Sequence, residues 1–304
     1  MTRRRSGLPD LPPVEPVRAG GVTLAVRRLT PEAGGGASPL RLIAFHGGPG
    51  LDHHVLLPLG LLLAERYEVW LPDLPGHGAS PPAGGEADLT LRRLQERMER
   101  WLAGLPGPPG VLLGHSLAAW LLQEWLTGPR SRGAVTPPAA AVLVSPPAAG
   151  QERRGTALRR AGTLMRSSRA PRAPKASPGR GAGARARKEV RAHVEAETRG
   201  RSTEVFLEAL ERGELRDPRG YGRLQADLHR RLVGPVRRRA PGCPVLVLCG
   251  EEDRTTPAAQ ARRVAEALDG ARLRFLPGTG HYPFADALEP TAHAIREFLD
   301  PLLP

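Results

Sequence analysis

The sequence predicts an α/β protein in which helices cover both faces of a mostly parallel sheet, with one segment inserted into it. Short apolar runs of strand length alternate with helical patterns from Val14 to about Pro146, and again from Pro244 onward. Several of these runs end in glycine-rich turns. The alternation fails between residues 147 and 240, where Arg166–Arg187 has no apolar period.

Eight strands are predicted along the chain. The first two form a hairpin, because alternating apolar residues flank the turn Gly20-Gly21. The strand ranges in order are Val14–Arg18, Val22–Val26, Leu40–Phe45, Tyr67–Leu71, Val111–Leu113, Ala141–Val144, Pro244–Leu248 and Leu273–Leu276. Most of the later runs are continuously apolar, which is typical of parallel strands buried on both faces.

Helices are predicted between these strands. One covers Val55–Arg66, a second follows Thr90 as its N-cap, and a third covers Leu117–Leu126. Thr256 is predicted to cap a fourth helix with Pro257 at its first position. The last helix begins near Pro290 and packs the side chains of Ile295, Phe298 and Leu299.

The predicted insertion carries most of the net charge of +13. Residues 151–200 contain 14 Lys and Arg against 4 Glu, which gives +10 for this stretch alone. Such a segment can attract nucleic acid, anionic lipid or an acidic substrate, although we favour a solvated surface and expect no nucleic-acid partner. We predict that residues 147–240 form an inserted cap, partly flexible, on a core made of residues 14–146 and 241–304.

The 304-residue chain has only two cysteines, Cys243 and Cys249. In one strand they would lie about 20 Å apart, too far for a disulfide, and no spacing indicates a metal site. The basic start lacks an apolar stretch behind it, so we expect no signal peptide and a cytoplasmic location. No segment is long enough to span a membrane, and nothing indicates an oligomeric state.

The motif Gly114-His115-Ser116-Leu117-Ala118 lies where a strand turns into a helix. A sharp turn at that point lifts the Ser116 hydroxyl out of the sheet, and small residues at 114 and 118 let strand and helix approach. The N–H of Leu117, at the helix N-terminus, then faces a substrate oxygen. The motif therefore predicts a nucleophilic serine.

The run His46-Gly47-Gly48-Pro49-Gly50 follows an earlier strand. Glycines leave backbone N–H groups free to face a developing oxyanion, and we assign Gly48 as the second donor beside Leu117. A tight turn that needs positive φ is the alternative interpretation.

Asp253 and His281 each follow a later predicted strand. A serine nucleophile needs an imidazole base, and the imidazole needs an acid to fix its tautomer and stabilise its cation. The chain order Ser116, Asp253, His281, each at the carboxyl end of a strand, predicts a catalytic triad. Glu251 and Glu252 are the alternative acids.

With these motifs the chain resembles enzymes of the α/β-hydrolase fold. Residues 40–145 and 244–302 follow the family's pattern, including the loop Asp73–Ser80, in which Asp73 and His77 are similar to structural residues of the family. The resemblance implies a cap after the sixth strand and the acid after the seventh, at Asp253. One departure is Ala118, where the family's nucleophile motif usually ends in glycine. The serine at position 116 excludes the dehalogenase and epoxide-hydrolase chemistry of this fold.

We expect a serine hydrolase that cleaves a carboxylic ester of a small molecule by two-step acyl transfer, with no cofactor and no metal. A proline-iminopeptidase-like aminopeptidase is the first alternative, because that group has a loop similar to residues 46–50; Glu204, Glu208 and Glu211 would then bind the substrate amine. A non-catalytic binding protein, carbon–carbon bond hydrolysis and perhydrolysis remain further alternatives. His53 and His54 are predicted to lie at the surface, His115 to pack beside the nucleophile, and His193, His229 and His293 to be exposed.

Overall fold

A computed structural model of the chain describes residues 9–31, 40–82, 89–107, 110–128, 137–148, 203–213 and 240–302, with 192, 194, 196–198, 224, 226–228 and 230–231. One eight-stranded sheet organises these residues, in the order β1-β2-β4-β3-β5-β6-β7-β8. The strands are β1 (Val14–Ala19), β2 (Val22–Leu29), β3 (Arg41–Phe45), β4 (Glu68–Pro72), β5 (Val111–His115), β6 (Ala140–Val144), β7 (Val245–Gly250) and β8 (Arg272–Leu276). The predicted α/β fold class is confirmed.

Only the first strands of the sheet are antiparallel. β1 pairs with β2 through a turn at Gly20 and Gly21, whose φ values of 54° and 73° suit glycine, and β2 pairs antiparallel with β4. Every later pairing, from β4 with β3 to β7 with β8, is parallel. The carboxyl ends of the parallel strands therefore share one edge of the sheet, where the predicted site residues lie.

Helices bury apolar side chains against both faces of this sheet. One buried cluster packs α2, α3 and α5 on one face, and a second packs α1, α4 and α7 on the other. The helices are α1 (Leu57–Leu63), α2 (Leu91–Ala103), α3 (Leu117–Thr127), α4 (Thr203–Glu211), α5 (Ala258–Ala267), α6 (Pro283–Asp286) and α7 (Leu288–Leu299). Burial on both sides explains why strands such as β5 and β7 read as continuous apolar runs.

Two helix predictions need correction. The predicted helix over Val55–Arg66 begins as a short 3-10 helix at His53–Leu56 and continues as α1 only to Leu63. Thr256 does not cap α5, whose N-cap residue is Pro257 with no side-chain cap bond. The Thr256 hydroxyl is instead hydrogen-bonded at the candidate site, as described below. The Thr90 cap is confirmed, because its hydroxyl accepts from the N–H of Arg93.

The region between β6 and β7 is described only in part. α4 lies there and contacts α1 and the His53–Leu56 helix, while the whole of Arg166–Arg187 lies outside the described residues. The boundaries of a cap at 147–240 stay a prediction. Within the described ranges, no helix has the length and apolar character needed to cross a membrane.

Candidate active site

Ser116 occupies a strained turn between β5 and α3. Its φ of 50° and ψ of −112° are rare for a residue with a Cβ. The turn is held by hydrogen bonds from the Ser116 N–H to the Val144 carbonyl, at 2.9 Å, and from the Trp120 N–H to the Ser116 carbonyl, at 3.1 Å. Because the site is partly exposed, the hydroxyl is available to a substrate.

Close packing at this turn explains the small residues of the motif. A Cβ at Gly114 would lie 2.7 Å from the Ala118 carbonyl carbon and the Ala119 nitrogen, so strand and helix leave no room for a side chain. Ala118 is fully buried, and the turn forms with its methyl group in place of the family's glycine.

His281 and Asp253 complete a chain of hydrogen bonds from Ser116. The His281 Nε2 atom lies 3.0 Å from the Ser116 Oγ, and the His281 Nδ1 atom lies 2.9 Å from the Asp253 Oδ2. Both side chains are buried. The structure thus brings all three predicted residues together, while Glu251 and Glu252 point to solvent.

The loops that carry the acid and the histidine are joined by backbone contacts. The N–H of Glu252 donates to the carbonyl of Thr279 at 2.9 Å. A Cβ at Gly250 would lie 2.3 Å from the carbonyl oxygens of Thr279 and Gly280, so glycine at the end of β7 is what permits this approach. The separation between Asp253 and His281 is therefore fixed by the main chain.

Asp253 accepts hydrogen bonds at both carboxylate oxygens. Oδ1 accepts from the N–H groups of Thr255, at 2.9 Å, and Thr256, at 2.7 Å, and Oδ2 accepts from the Thr256 hydroxyl, at 2.7 Å, and from His281. Burial alone would raise the pKa of Asp253, but His281 and the Thr256 donors hold it below its usual value. The acid is therefore ionised at neutral pH.

His115 packs beside Ser116, as predicted, and also holds the backbone of His281. Its Nε2 donates to the His281 carbonyl at 3.0 Å. Burial, followed by the neighbouring His281, lowers the pKa of His115 to about 3, so the ring stays neutral. On the other side of His281, the Gly280 N–H donates to the Asp286 Oδ2 at 2.7 Å. Two buried side chains thus bind the backbone at Gly280 and at His281.

Gly48 and Leu117, the predicted oxyanion donors, lie in adjoining segments. Leu117 is the first residue of α3, where an N–H has no acceptor within the helix. Gly48 has a φ of 150°, in a region that favours glycine. A Cβ at the neighbouring Gly47 would lie 2.5 Å from the His115 Nδ1 and 3.1 Å from the Ser116 Cβ, so the loop packs against both residues. The role of the two N–H groups stays a prediction.

Asp73 fixes the loop that follows β3. It accepts from the backbone N–H and the Nδ1 of His53, both at 2.8 Å, and from the N–H of Ala79, at 2.8 Å. The prediction of surface positions for His53 and His54 was wrong, because both are buried. Arg27 donates to the His53 Nε2 at 3.1 Å. Asp73 and Arg27, both distant from His53 in sequence, therefore bind the two nitrogens of this buried imidazole. Burial of Asp73 would raise its pKa, but His53 and the neighbouring His46 lower it overall.

One cluster in the described part of the chain brings metal-ligand types together: Asp52, His53 and His54. Both ring nitrogens of His53 already bind Asp73 and Arg27. The Asp52 carboxylate caps the His53–Leu56 helix through the His54 N–H at 3.0 Å. These contacts assign the cluster a structural role in the loop. His293 is exposed as predicted, and His193 and His229 lie outside the described residues.

One aromatic side chain from the region between β6 and β7, Phe206, packs next to the loop that carries His281. Phe206 of α4 lies 5.4 Å from the ring of Tyr282 and 5.9 Å from that of Phe284. A Cβ at Gly280 would lie 2.5 Å from the Glu197 carbonyl oxygen. This cluster was not predicted, although the aromatic residues at 282 and 284 stand directly beside His281 in the sequence.

Fold and site together define the class of protein. The chain belongs to the alpha/beta hydrolase family, whose sequence profile matches residues 42–294, and it is a hydrolase enzyme.

Curated relatives narrow the comparison within that family. The chain is 32% identical over 267 residues to the pimeloyl-[acyl-carrier protein] methyl ester esterase of Xanthomonas oryzae pv. oryzae, covering 84% of this chain and 91% of that protein. The enzyme of the same name from Xanthomonas axonopodis pv. citri is also 32% identical over 267 residues, with the same coverage.

Solved structures resemble the chain in fold. An esterase from Exiguobacterium antarcticum superposes with a TM-score of 0.68 at 17% identity, covering 94% of this chain and 98% of the esterase. A meta-cleavage product hydrolase from Pseudomonas fluorescens IP01 gives a TM-score of 0.66 at 16% identity, covering 95% of this chain and 98% of the other. At such identities the likeness concerns the fold alone.

Proposed function

We propose that the protein hydrolyses a carboxylic ester by two-step acyl transfer through Ser116. The observation that carries the proposal is the unbroken series of contacts from the Ser116 Oγ through His281 to Asp253, at 3.0 and 2.9 Å. An imidazole placed in this way can remove the hydroxyl proton, and the carboxylate stabilises the resulting cation. The two methyl ester esterases at 32% identity support an ester as the substrate.

In the first step His281 accepts the Ser116 proton while Oγ attacks the ester carbonyl carbon. The negative charge that forms on the carbonyl oxygen is stabilised by the N–H groups of Gly48 and Leu117, each worth about 3 kcal/mol in the transition state. The intermediate then collapses, His281 returns the proton to the leaving alcohol, and an acyl-enzyme remains on Ser116.

In the second step water replaces the alcohol. His281 removes a proton from the water, which attacks the acyl carbon, and collapse of the second intermediate frees the acid and restores the Ser116 hydroxyl. Atoms balance over the cycle as ester plus water giving acid plus alcohol. No metal or cofactor takes part in this sequence.

The test measures kcat and KM of wild type and Ser116→Ala on p-nitrophenyl esters of increasing acyl length, on a methyl ester of pimelic acid, and on proline p-nitroanilide. We expect ester turnover that falls by roughly 10⁴-fold or more in Ser116→Ala. Preference for the prolyl anilide would replace the ester proposal with the aminopeptidase alternative, which the run Gly47-Gly48-Pro49-Gly50 favours. Ester turnover that survives in Ser116→Ala would refute the mechanism.

A further inference from the structure

Thr256 has a role at the site that its sequence position hides. It precedes α5 without capping it, and its side chain is buried. Its hydroxyl oxygen lies 2.7 Å from the Asp253 Oδ2, 3.1 Å from the Ser145 carbonyl oxygen and 3.3 Å from the His281 Nδ1. One hydroxyl therefore lies among the acid, the base and the end of β6.

The single hydrogen of this hydroxyl is best donated to Asp253. The carboxylate oxygen is both the nearest acceptor and an ionised one, and charge-assisted hydrogen bonds are about twice as strong as neutral ones. His281 Nδ1 needs its own hydrogen for Oδ2 and so accepts nothing from Thr256. Oδ2 then accepts from the Thr256 hydroxyl and His281, with the Cys249 thiol at a longer 3.8 Å, while Oδ1 accepts from two backbone N–H groups.

We propose that Thr256 is a positioning residue for the catalytic acid: its hydroxyl holds the Asp253 Oδ2 in line with His281 and lowers the basicity of that oxygen. The inference rests on the proposed function of Asp253 and His281. The backbone N–H groups hold Oδ1 only, so the position of Oδ2 depends on side chains, those of His281 and Thr256. The Thr256 hydroxyl is thus a second restraint on the oxygen that faces His281.

Three other titratable groups around the His281–Asp253 pair keep one charge state over the pH range of the assay. Burial raises the pKa of Cys249, whose Sγ lies 3.8 Å from the Asp253 Oδ2, and that of Tyr282, and it lowers the pKa of His115 to about 3. These three groups therefore stay neutral between about pH 5 and 9. The charged groups on the same loops, among the described residues, are Asp286, bound to the Gly280 N–H, and the exposed Glu251, Glu252 and Arg254. Glu197, from the region between β6 and β7, lies near Tyr282.

Loss of the Thr256 hydroxyl should shift the pH profile of kcat/KM in one direction only. Without its donor, Oδ2 holds more negative charge, and a proton on the coupled His281–Asp253 pair becomes more stable. The acid limb of kcat/KM, which reports the protonation of that pair, moves to higher pH. A purely structural defect lowers activity at every pH and leaves the limb in place.

The experiment compares Thr256→Ser with Thr256→Ala, because these two variants lack the same methyl group and differ only in the hydroxyl. Each is assayed for kcat, KM and the pH dependence of kcat/KM on a p-nitrophenyl ester, beside wild type and Thr256→Val. Thr291→Val is the matched control, since the buried Thr291 hydroxyl donates to the carbonyl of Ala287, the N-cap residue of α7. Thermal unfolding of every variant checks the fold.

We expect Thr256→Ser to keep the wild-type profile, and Thr256→Ala and Thr256→Val to lose on the order of tenfold in kcat. Their acid limb moves up by roughly half a pH unit or more. Equal profiles for the Ser and Ala variants would overturn the inference, as would an equal loss in Thr291→Val. If Thr256→Val does not fold, the Ser and Ala pair alone decides. Ser116→Ala separates the two failures, because activity that survives there refutes the triad itself.

Discussion

The substitution Asp253→Asn exchanges one carboxylate oxygen for an amide nitrogen at almost constant size. The surrounding donors decide which oxygen is replaced. Oδ1 accepts from the N–H groups of Thr255 and Thr256, which cannot rotate, so the amide oxygen must stay there. The NH₂ group is therefore forced into the Oδ2 position, 2.9 Å from the His281 Nδ1.

This placement reverses the hydrogen bond to the histidine. An NH₂ group only donates, so the His281 Nδ1 must become the acceptor and the ring proton must move to Nε2. Nε2–H then faces the Ser116 Oγ at 3.0 Å and cannot remove its proton. The Thr256 hydroxyl can turn to the Ser145 carbonyl at 3.1 Å, so no buried donor loses its partner and the fold is kept.

Because His281 then has the wrong tautomer to act as a base, we expect kcat to fall by about 10⁴-fold, which corresponds to a rise of about 5 kcal/mol in the activation barrier. The assay measures kcat and KM on a p-nitrophenyl ester at neutral pH, with thermal unfolding as a check on the fold. Glu251→Gln and Glu252→Gln are the controls, because both residues are exposed neighbours on the same loop. They should keep wild-type turnover.

An Asp253→Asn variant that folds normally and keeps turnover within about tenfold of wild type would refute the proposed tautomer change at His281. A loss in Glu251→Gln or Glu252→Gln as large as that in Asp253→Asn would show that the acid had been assigned to the wrong residue.

Three further predictions follow from close contacts and burial. Gly47→Ala should lose roughly 100-fold in kcat, because the new Cβ would lie 2.5 Å from the buried His115 Nδ1 and 3.1 Å from the Ser116 Cβ. His115, which holds the His281 carbonyl, and Ser116 must then move; unchanged kcat would contradict this. Asp286→Ala should lower the melting temperature by several degrees, since the buried Gly280 N–H loses an acceptor worth about 1–3 kcal/mol. Calorimetry measures this shift, and an unchanged melting temperature would contradict the prediction. Burial lowers the pKa of His77 to about 3, so the unfolded chain binds a proton that the folded chain lacks between about pH 6.5 and 3. The free energy of unfolding of the wild type therefore falls as pH drops through that window and has its full value above it. Urea unfolding of His77→Gln should show a smaller fall over the same pH range. Equal falls for the two proteins would contradict this.

Most of the sheet and the three site residues could be predicted from the sequence because their signals are local. Apolar runs of strand length end in recognisable turns, and Ser116, Asp253 and His281 each follow such a run directly. Parallel strands bring their carboxyl ends to one edge, so three separate local patterns predict one common place.

The burial of His53 could not be predicted in this way. It depends on Asp73, 20 residues further along the chain, and on Arg27, 26 residues before it. The role of Thr256 was hidden for the opposite reason. A threonine before Pro257 satisfies the local rule for a helix N-cap, and only the folded loop shows that a carboxylate three residues earlier takes its hydroxyl instead.

Asp73 also joins the loop after β3 to the antiparallel edge of the sheet. Its own N–H donates to the Ala25 carbonyl at 2.9 Å, and the Ser80 hydroxyl connects the Asp73 carbonyl to the Ala25 N–H. A shortened chain without the hairpin of β1 and β2 would lack Ala25 and Arg27. It would lose the hydrogen bonds of Ala25 to Asp73 and Ser80 and that of Arg27 to His53, which hold the loop after β3 beside Ser116. The hairpin therefore supports the site although it carries none of Ser116, Asp253 and His281, and a version of this enzyme reduced to its parallel strands should be inactive.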